Sequence, residues 1–327
     1  MNTPTIPPVQ PFERDAILSG PHAQMIAGHL FNRSKSAAKS PSIKVPLPDG
    51  DQIVVMTDSP ENEPRGGVLL MHGLGGNADA RYMVSAAKRL TTDGYMVFRM
   101  NHRGAGQGAG LVRRMYNAGL SNDVSCVINA IVAHYPALRL VCVGFSMSGN
   151  TILKYAGERG HRVPPSLCRI IAVNPAVDLE QCISAIERRK NRIYHKRFTK
   201  LLVSQLTANR AQCRVPEDMK RISSVREYDG RITAPAWGFE NAAAYYRQES
   251  AVSCIPGIAL PTTVLTTDDD PLVPIGIFSE VRWPDRTRLH ITRGGGHMGY
   301  LSRRKTPLGD RRWMDYFLVY SIESTLG

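Results

Sequence analysis

The sequence lacks any long hydrophobic run. No stretch approaches the eighteen or so uncharged apolar residues that a membrane-spanning helix requires. The N-terminus, MNTPTIPPVQPFERD, has no basic segment followed by an apolar one, so a cleaved secretion signal is not expected. Cysteine is sparse: six residues, at 126, 142, 168, 182, 213 and 254, stand singly without a C-x-x-C pair. That spacing argues against a zinc site and against a secreted disulfide framework, and fits reduced thiols in a cytoplasmic protein. Acidic residues are in deficit, 28 against 41 Lys and Arg, giving a formal charge of +13. Such a surplus leaves three partner classes open: nucleic acid, an anionic membrane surface, or a small anionic ligand. Helix-turn-helix, zinc and RNP-type signatures are absent, so nucleic acid is not expected. Internal repeats and low-complexity tracts are absent too.

What is present reads as a globular chain. At 327 residues, 43% hydrophobic and 21% charged, it has ample length to bury a core. The first forty residues, rich in Pro and Ser, read as an N-terminal arm (1–40) with one short helix near Ala23 to Phe31. From Ile43 to Met56 the pattern is a hairpin turning at Pro48, Asp49 and Gly50. Continuous apolar runs of strand length follow at 67–72, 95–100, 138–143, 169–173 and 262–266, the kind buried on both faces of a sheet. Between them lie helical patterns. The clearest runs from Asp123 to His134, with Val124, Val127, Ile128, Ile131 and Val132 on one face and Ser121, Asn122 and Asp123 as capping residues in front. Strand–helix alternation predicts an α/β fold: a mostly parallel central sheet covered by helices on both faces. The alternation breaks over 176–255, where the chain turns helical and basic, and then resumes. One α/β domain over 41–327, interrupted by an inserted helical cap, accounts for this pattern.

In an open α/β sheet, ligands bind beyond the carboxyl ends of the strands. The strand ending at Val143 delivers GFSMSGN, from Gly144 to Asn150, to that edge. A sharp strand-to-helix turn carrying a nucleophile needs small residues two before and two after it. Ser146 has Gly144 and Ser148 at those positions, whereas Ser148 would have Asn150. A serine hydroxyl needs a base, and the base an orienting carboxylate. Both arrive later in the chain, in the order Ser, Asp, His: the triplet Asp268, Asp269, Asp270 after one strand, and His297 in a glycine-rich turn after the strand at 289–292. Any of the three aspartates fits on position alone. An oxyanion hole would take the N–H of Met147, which follows the nucleophile, and of Leu74 in the loop HGLGGN from His72 to Asn77. That loop lacks the G-K-[ST] of a P-loop.

Taken together, HGLGGN at His72, NHRGAG at Asn101, YNAGLSND at Tyr116, GFSMSGN at Gly144, the Asp269-Asp270-Pro271 segment and GGHMG at Gly295 resemble the YheT-type family of α/β hydrolases. REYDGRITA at Arg226 and YYRQ at Tyr245 look family-like as well, while Met25 stands where a threonine is expected. The resemblance implies Ser146 as nucleophile, His297 as general base and then acid, and Asp270 as orienter, since that loop usually reads Asp-x-x-x-Pro and Asp270 precedes Pro274 by that spacing. It implies a serine esterase or lipase-like enzyme acting on small-molecule acyl esters, with no metal or organic cofactor. An acyltransferase or thioesterase with the same triad, or a hydrolase fold kept as a binding module, are the rival readings.

The cap carries the strongest charge feature. Seven Lys or Arg fall between Arg188 and Lys200 with no acid among them. Arg188, Arg192, Lys196 and Lys200 would form one stripe on a helix, with Tyr194, Phe198, Leu201 and Leu202 roughly opposite. This is either the solvated back of a packed helix or a surface that docks on anionic lipid.

Overall fold

A computed structural model describes residues 8–31 and 40–327. Eight strands form one sheet in the order β1-β2-β4-β3-β5-β6-β7-β8. The hairpin β1 (Ser42–Pro46) and β2 (Gln52–Asp58) is antiparallel, and β2 runs antiparallel to β4 (Met96–Met100). From β4 onward, β3 (Gly67–Met71), β5 (Leu140–Phe145), β6 (Leu167–Val173), β7 (Thr262–Thr267) and β8 (Thr287–Thr292) are parallel. Gly50 makes the hairpin turn at φ 86°, a region open to glycine.

Side chains alternate across the strands, so each central strand feeds two cores. Leu69, Met71 and Cys142 join one, and Val68, Leu70, Val141 and Val143 the other. The helices α1 (Pro21–Phe31), α2 (Arg81–Thr92), α3 (Ser121–His134) and α4 (Met147–Arg159) come first in the chain. On the first face α3 and α4 contribute Val124, Val127, Ile128, Ile152 and Leu153. On the second, α2 and the last helix contribute Met83, Leu90, Phe317 and Ile322.

Between β6 and β7 the chain runs through α5 (Leu179–Glu187), α6 (Arg192–Ala208), α7 (Val225–Tyr228), a π-turn over Asp229–Thr233, α8 (Ala234–Trp237) and α9 (Ala242–Glu249). After β7 come α10 (Gly276–Ser279) and α11 (Trp313–Leu326). Among the described residues no helix is long and apolar enough to cross a membrane.

Three expectations need correction. Ser121 begins α3 rather than capping it: Leu120 is the N-cap and makes no side-chain cap bond. The reason is competition from distant partners. Ser121 hydrogen-bonds Glu158, and Asp123 is forked by Arg103 at 2.7 and 2.8 Å. Second, Arg188 does not extend the basic stripe, because it stands in extended backbone (φ −58°, ψ 143°) between α5 and a 3-10 turn. The stripe on α6 is Arg192, Lys196 and Lys200, all exposed, while Leu202 and Leu206 are buried beneath. Third, the described part of the N-terminal segment is not a loose arm; positions 1–7 and 32–39 lie outside the described residues. Phe12 packs edge-on to Tyr300 and Trp313, Trp313 Nε1 donates to the Gln10 carbonyl at 2.8 Å, and Gln24 bridges both backbone groups of Leu301.

Candidate active site

Parallel strands deliver the site residues to one edge. Ser146 follows β5 and is held at φ 54°, ψ −115°, a conformation that L-residues avoid and that turns Oγ out of the strand-to-helix bend. The bend requires its glycines. A Cβ on Gly144 would come within 2.3 Å of the Ser148 carbonyl, and one on Gly149 within 2.7 Å of Pro175.

His297 Nε2 lies 2.9 Å from Ser146 Oγ, and its Nδ1 lies 2.7 Å from Asp270 Oδ2. A neutral imidazole with Nδ1–H donating to the carboxylate leaves Nε2 free to accept the serine proton. Asp270 is buried and fully bonded: Oδ2 also accepts from Asn174 Nδ2 at 2.8 Å, and Oδ1 accepts the amides of Leu272 and Val273. Its neighbours do other work. Asp268 is exposed and takes the Gly294 amide at 2.8 Å; Asp269 takes the Gly296 amide at 2.8 Å and the Thr267 hydroxyl at 3.0 Å. Both therefore shape the turn that carries His297. That turn is left-handed for much of its length, with Gly294, Gly295 and Gly296 at φ 80°, 129° and 57°, and Met298 and Tyr300 at 60° and 39°.

The second serine has a different environment. Ser148 is fully buried; its hydroxyl donates to the His72 carbonyl and receives His102 Nε2–H at 2.6 Å. His72 in turn accepts the His102 amide on Nε2 and donates from Nδ1 to the Gly73 carbonyl. Burial pushes the His72 imidazole down to about 4 and His102 well below its ordinary value, so both are neutral near pH 7. These three side chains tie together the loops after β3 and β4 and the start of α4.

The loop HGLGGN is pinned around one amide. Gly73 N donates to Tyr82 OH at 2.9 Å, Gly75 N to Tyr116 OH at 2.8 Å, and Gly76 N to the Gly73 carbonyl at 3.0 Å. The Leu74 amide stands between them with no partner among the described residues. Met147 opens α4, where a helix's first amides have no intrahelical acceptor. Leu74 and Met147 line one apolar pocket with Ser146 and His297. The pocket is walled by Leu179, Ile183 and Ile186 of α5, Phe198 and Leu202 of α6, and Tyr228 of α7.

Sequence reasoning missed Asn174, Tyr82 and Tyr116. Asn174 sits at φ 45° past β6, clamps Asp270 and receives Tyr300 OH at 3.1 Å. Nothing local marks Asn174 or Tyr82, and the motif that begins at Tyr116 does not reveal its bond to Gly75, because the partners come from other loops. Among the described residues no His, Cys, Asp and Glu gather as metal ligands.

Sheet order, bend and site edge together define an α/β hydrolase. Residues 62–298, well over half of the chain, match the family model Hydrolase_4, described as serine aminopeptidase, S33. The chain belongs to that family and, within it, to the YheT-type α/β hydrolases. It is 25% identical over 306 residues to a protein of Escherichia coli (strain K12) named "Putative esterase YheT", across 90% of this chain and 87% of that one. It is 29% identical over 258 residues to the monoacylglycerol lipase of Saccharomyces cerevisiae, across 75% of this chain but only 56% of that longer one. The solved structure of the Pyrococcus furiosus esterase Pf2001 shares the fold, with a TM-score of 0.55 and 15% identity over 88% of this chain and 93% of that one.

Proposed function

We propose that this chain hydrolyses carboxylic esters with apolar acyl groups through Ser146, His297 and Asp270. The observation that carries the reading is the continuous bond path from Ser146 Oγ through His297 to Asp270, opening on the apolar pocket. Ser146 Oγ attacks the ester carbon while His297 Nε2 takes its proton; Asp270 holds the imidazolium in place. The N–H groups of Leu74 and Met147 hydrogen-bond the oxyanion. Collapse breaks the acyl–oxygen bond, and the alcohol leaves with the proton from Nε2. Water, activated by the same nitrogen, then releases the acid and restores Ser146.

Segment 176–255 acts as the cap over this pocket, its helices supplying most of the apolar wall. Its outer side offers Arg192, Lys196, Arg197 and Lys200 around Ile193, which is 79% exposed, a surface suited to peripheral contact with anionic lipid. The relatives' names, esterase and lipase, favour ester substrates over the peptides that the family description suggests. An aminopeptidase needs a free carboxylate for the substrate ammonium. The one non-triad carboxylate in the pocket, Asp229, is occupied by Thr233 and Tyr246 hydroxyls at 2.7 Å each. Turnover of p-nitrophenyl esters from short to long acyl chains tests the reading. Ser146-dependent hydrolysis is expected; peptide cleavage without ester cleavage would sink it. Adding an alcohol and analysing products separates hydrolysis from acyl transfer.

A further inference from the structure

The pocket beside Ser146 is apolar over most of its wall, yet four tyrosines and an asparagine also line it: Tyr116, Asn117, Tyr228, Tyr245 and Tyr246. All five are buried, and a buried donor is unfavourable unless it finds an acceptor. Two of the tyrosines find one in the protein. Tyr116 OH donates to Gln205 Oε1 at 3.1 Å, and Tyr246 OH to Asp229 Oδ2 at 2.7 Å. The other three side chains keep a donor unused. Tyr245 OH accepts the Ala118 amide at 2.9 Å, but its own proton has no acceptor among the described residues. Asn117 Oδ1 accepts the Gly119 amide at 2.8 Å, which fixes the side-chain amide and leaves Nδ2 without a described partner. Tyr228 is only 2% exposed, and its hydroxyl bonds to no described residue.

Unpartnered hydroxyls occur elsewhere, on Tyr95, Thr266 and Thr287, but neighbouring atoms seal them off. Asn117, Tyr228 and Tyr245 instead border the cavity that also holds Ser146 and His297. Burial above all, with Asp229 adding to it, holds both phenols well above their ordinary range, so Tyr228 and Tyr245 stay protonated and able to donate. A plain hydrocarbon chain in this space would leave all three donors without acceptors. The group that suits them is a neutral oxygen. A carboxylate would meet the Asp229 carboxyl in the same wall, where a second negative charge is unfavourable. A ketone brings lone pairs and no charge.

We infer that the pocket is a subsite for acyl groups that carry a second, neutral oxygen acceptor along the chain, a ketone above all, bound by the donors of Asn117, Tyr228 and Tyr245. The inference rests on the ester-hydrolase reading of Ser146 and His297 and deepens it by naming the acyl class. These donors take no part in proton transfer, so they set specificity rather than chemistry.

The test compares p-nitrophenyl octanoate with its 5-oxo, 6-oxo and 7-oxo analogues, each rate taken above the S146A background. Wild-type protein is expected to favour at least one oxo ester in kcat/KM by about tenfold, with the gain falling mainly on KM. A purely apolar wall predicts the opposite sign, since a ketone gives up its water on entry and gains no bond. Y228F and Y245F should each cut the preference severalfold, and Y228F/Y245F should reverse it. Because the Tyr228 hydroxyl is unbonded, Y228F should leave Tm in place, whereas Y246F, which strips a hydrogen bond from Asp229, should lower it by a few degrees. Octanoate cleaved through Ser146 at least as well as every oxo ester would overturn the subsite and leave the esterase reading intact; ordered water would then be what satisfies the donors. An oxo preference that survives in Y228F/Y245F would overturn it too. So would a loss of Tm in Y228F as large as that in Y246F, which would show the hydroxyl already bonded. If wild type and S146A were equally inactive on all these esters, the esterase reading itself would fall, and the subsite with it.

Discussion

Asp270 shows how one residue among three equivalents acquires an environment of its own. All three aspartates follow β7, yet only Asp270 is buried, takes two amides on one oxygen and shares the other between Asn174 and His297. Asp270→Asn should lower kcat on p-nitrophenyl butyrate by about 10⁴-fold, because the amide stabilises the wrong imidazole tautomer. Asp268→Asn, on an exposed turn residue, should change it little; losses of equal size at both would contradict the assignment. Asp229 makes a pH prediction. Burial raises its carboxyl to about 6, against the opposing hydrogen bonds from Thr233 and Tyr246. The folded state therefore binds the proton more tightly than the unfolded chain. Stability from this group is complete below about pH 4 and is lost as pH rises through 6, a total of about 3 kcal/mol. Urea unfolding from pH 4 to 7 should show this decline in the wild-type protein and a flatter profile in Asp229→Asn. Parallel profiles would refute it.

At the scale of elements, the same physics explains what was legible in the sequence. The strands are continuous apolar runs, and α3 carries its apolar face at helical spacing, so both announce themselves. The start of α3 does not, because Arg103 and Glu158 reach across the fold to claim Asp123 and Ser121. Ser146 and His297 could be found from small flanking residues and chain order. The network of Ser148, His72 and His102 could not, since it exists only where two loops meet the start of α4. Arg103 is itself an element-level tie: it joins Asp49 and Asp51 of the hairpin turn to Asp123 of α3. Asp49 and Asp51 would keep Arg114 and Arg113, but the buried Asp123 carboxylate would lose its partner, so Arg103→Ala should lower stability by about 3–5 kcal/mol, read as a urea midpoint shift. A shift under 1 kcal/mol would mean the cluster is already solvated. On α6, R192E/K196E/R197E should weaken co-sedimentation with anionic vesicles at low salt. Wild-type protein that fails to sediment would leave α6 as a solvated helix back.

Over the whole molecule, the sheet separates two cores while the N-terminal segment closes the side that carries His297. Gln10 N donates to Tyr316 OH, Arg14 bridges Ser302, and a Cβ on Gly28 would come within 2.8 Å of the Gly299 carbonyl. The sequence reads this segment as an arm because its Pro and Ser are visible and its long-range partners are not. Deleting residues 1–19 should therefore lower Tm by several degrees, at about 1 kcal/mol for each lost hydrogen bond, and depress activity by loosening the His297 turn. An unchanged Tm would show the segment to be dispensable.

The central claim is that Ser146 is the nucleophile and Ser148 a buried tie. A fluorophosphonate probe followed by peptide mapping tests it most directly. The account predicts a single adduct on the Ser146 hydroxyl that S146A abolishes and prior incubation with an ester substrate slows. An adduct on Ser148, or ester turnover that survives intact in S146A, would contradict it.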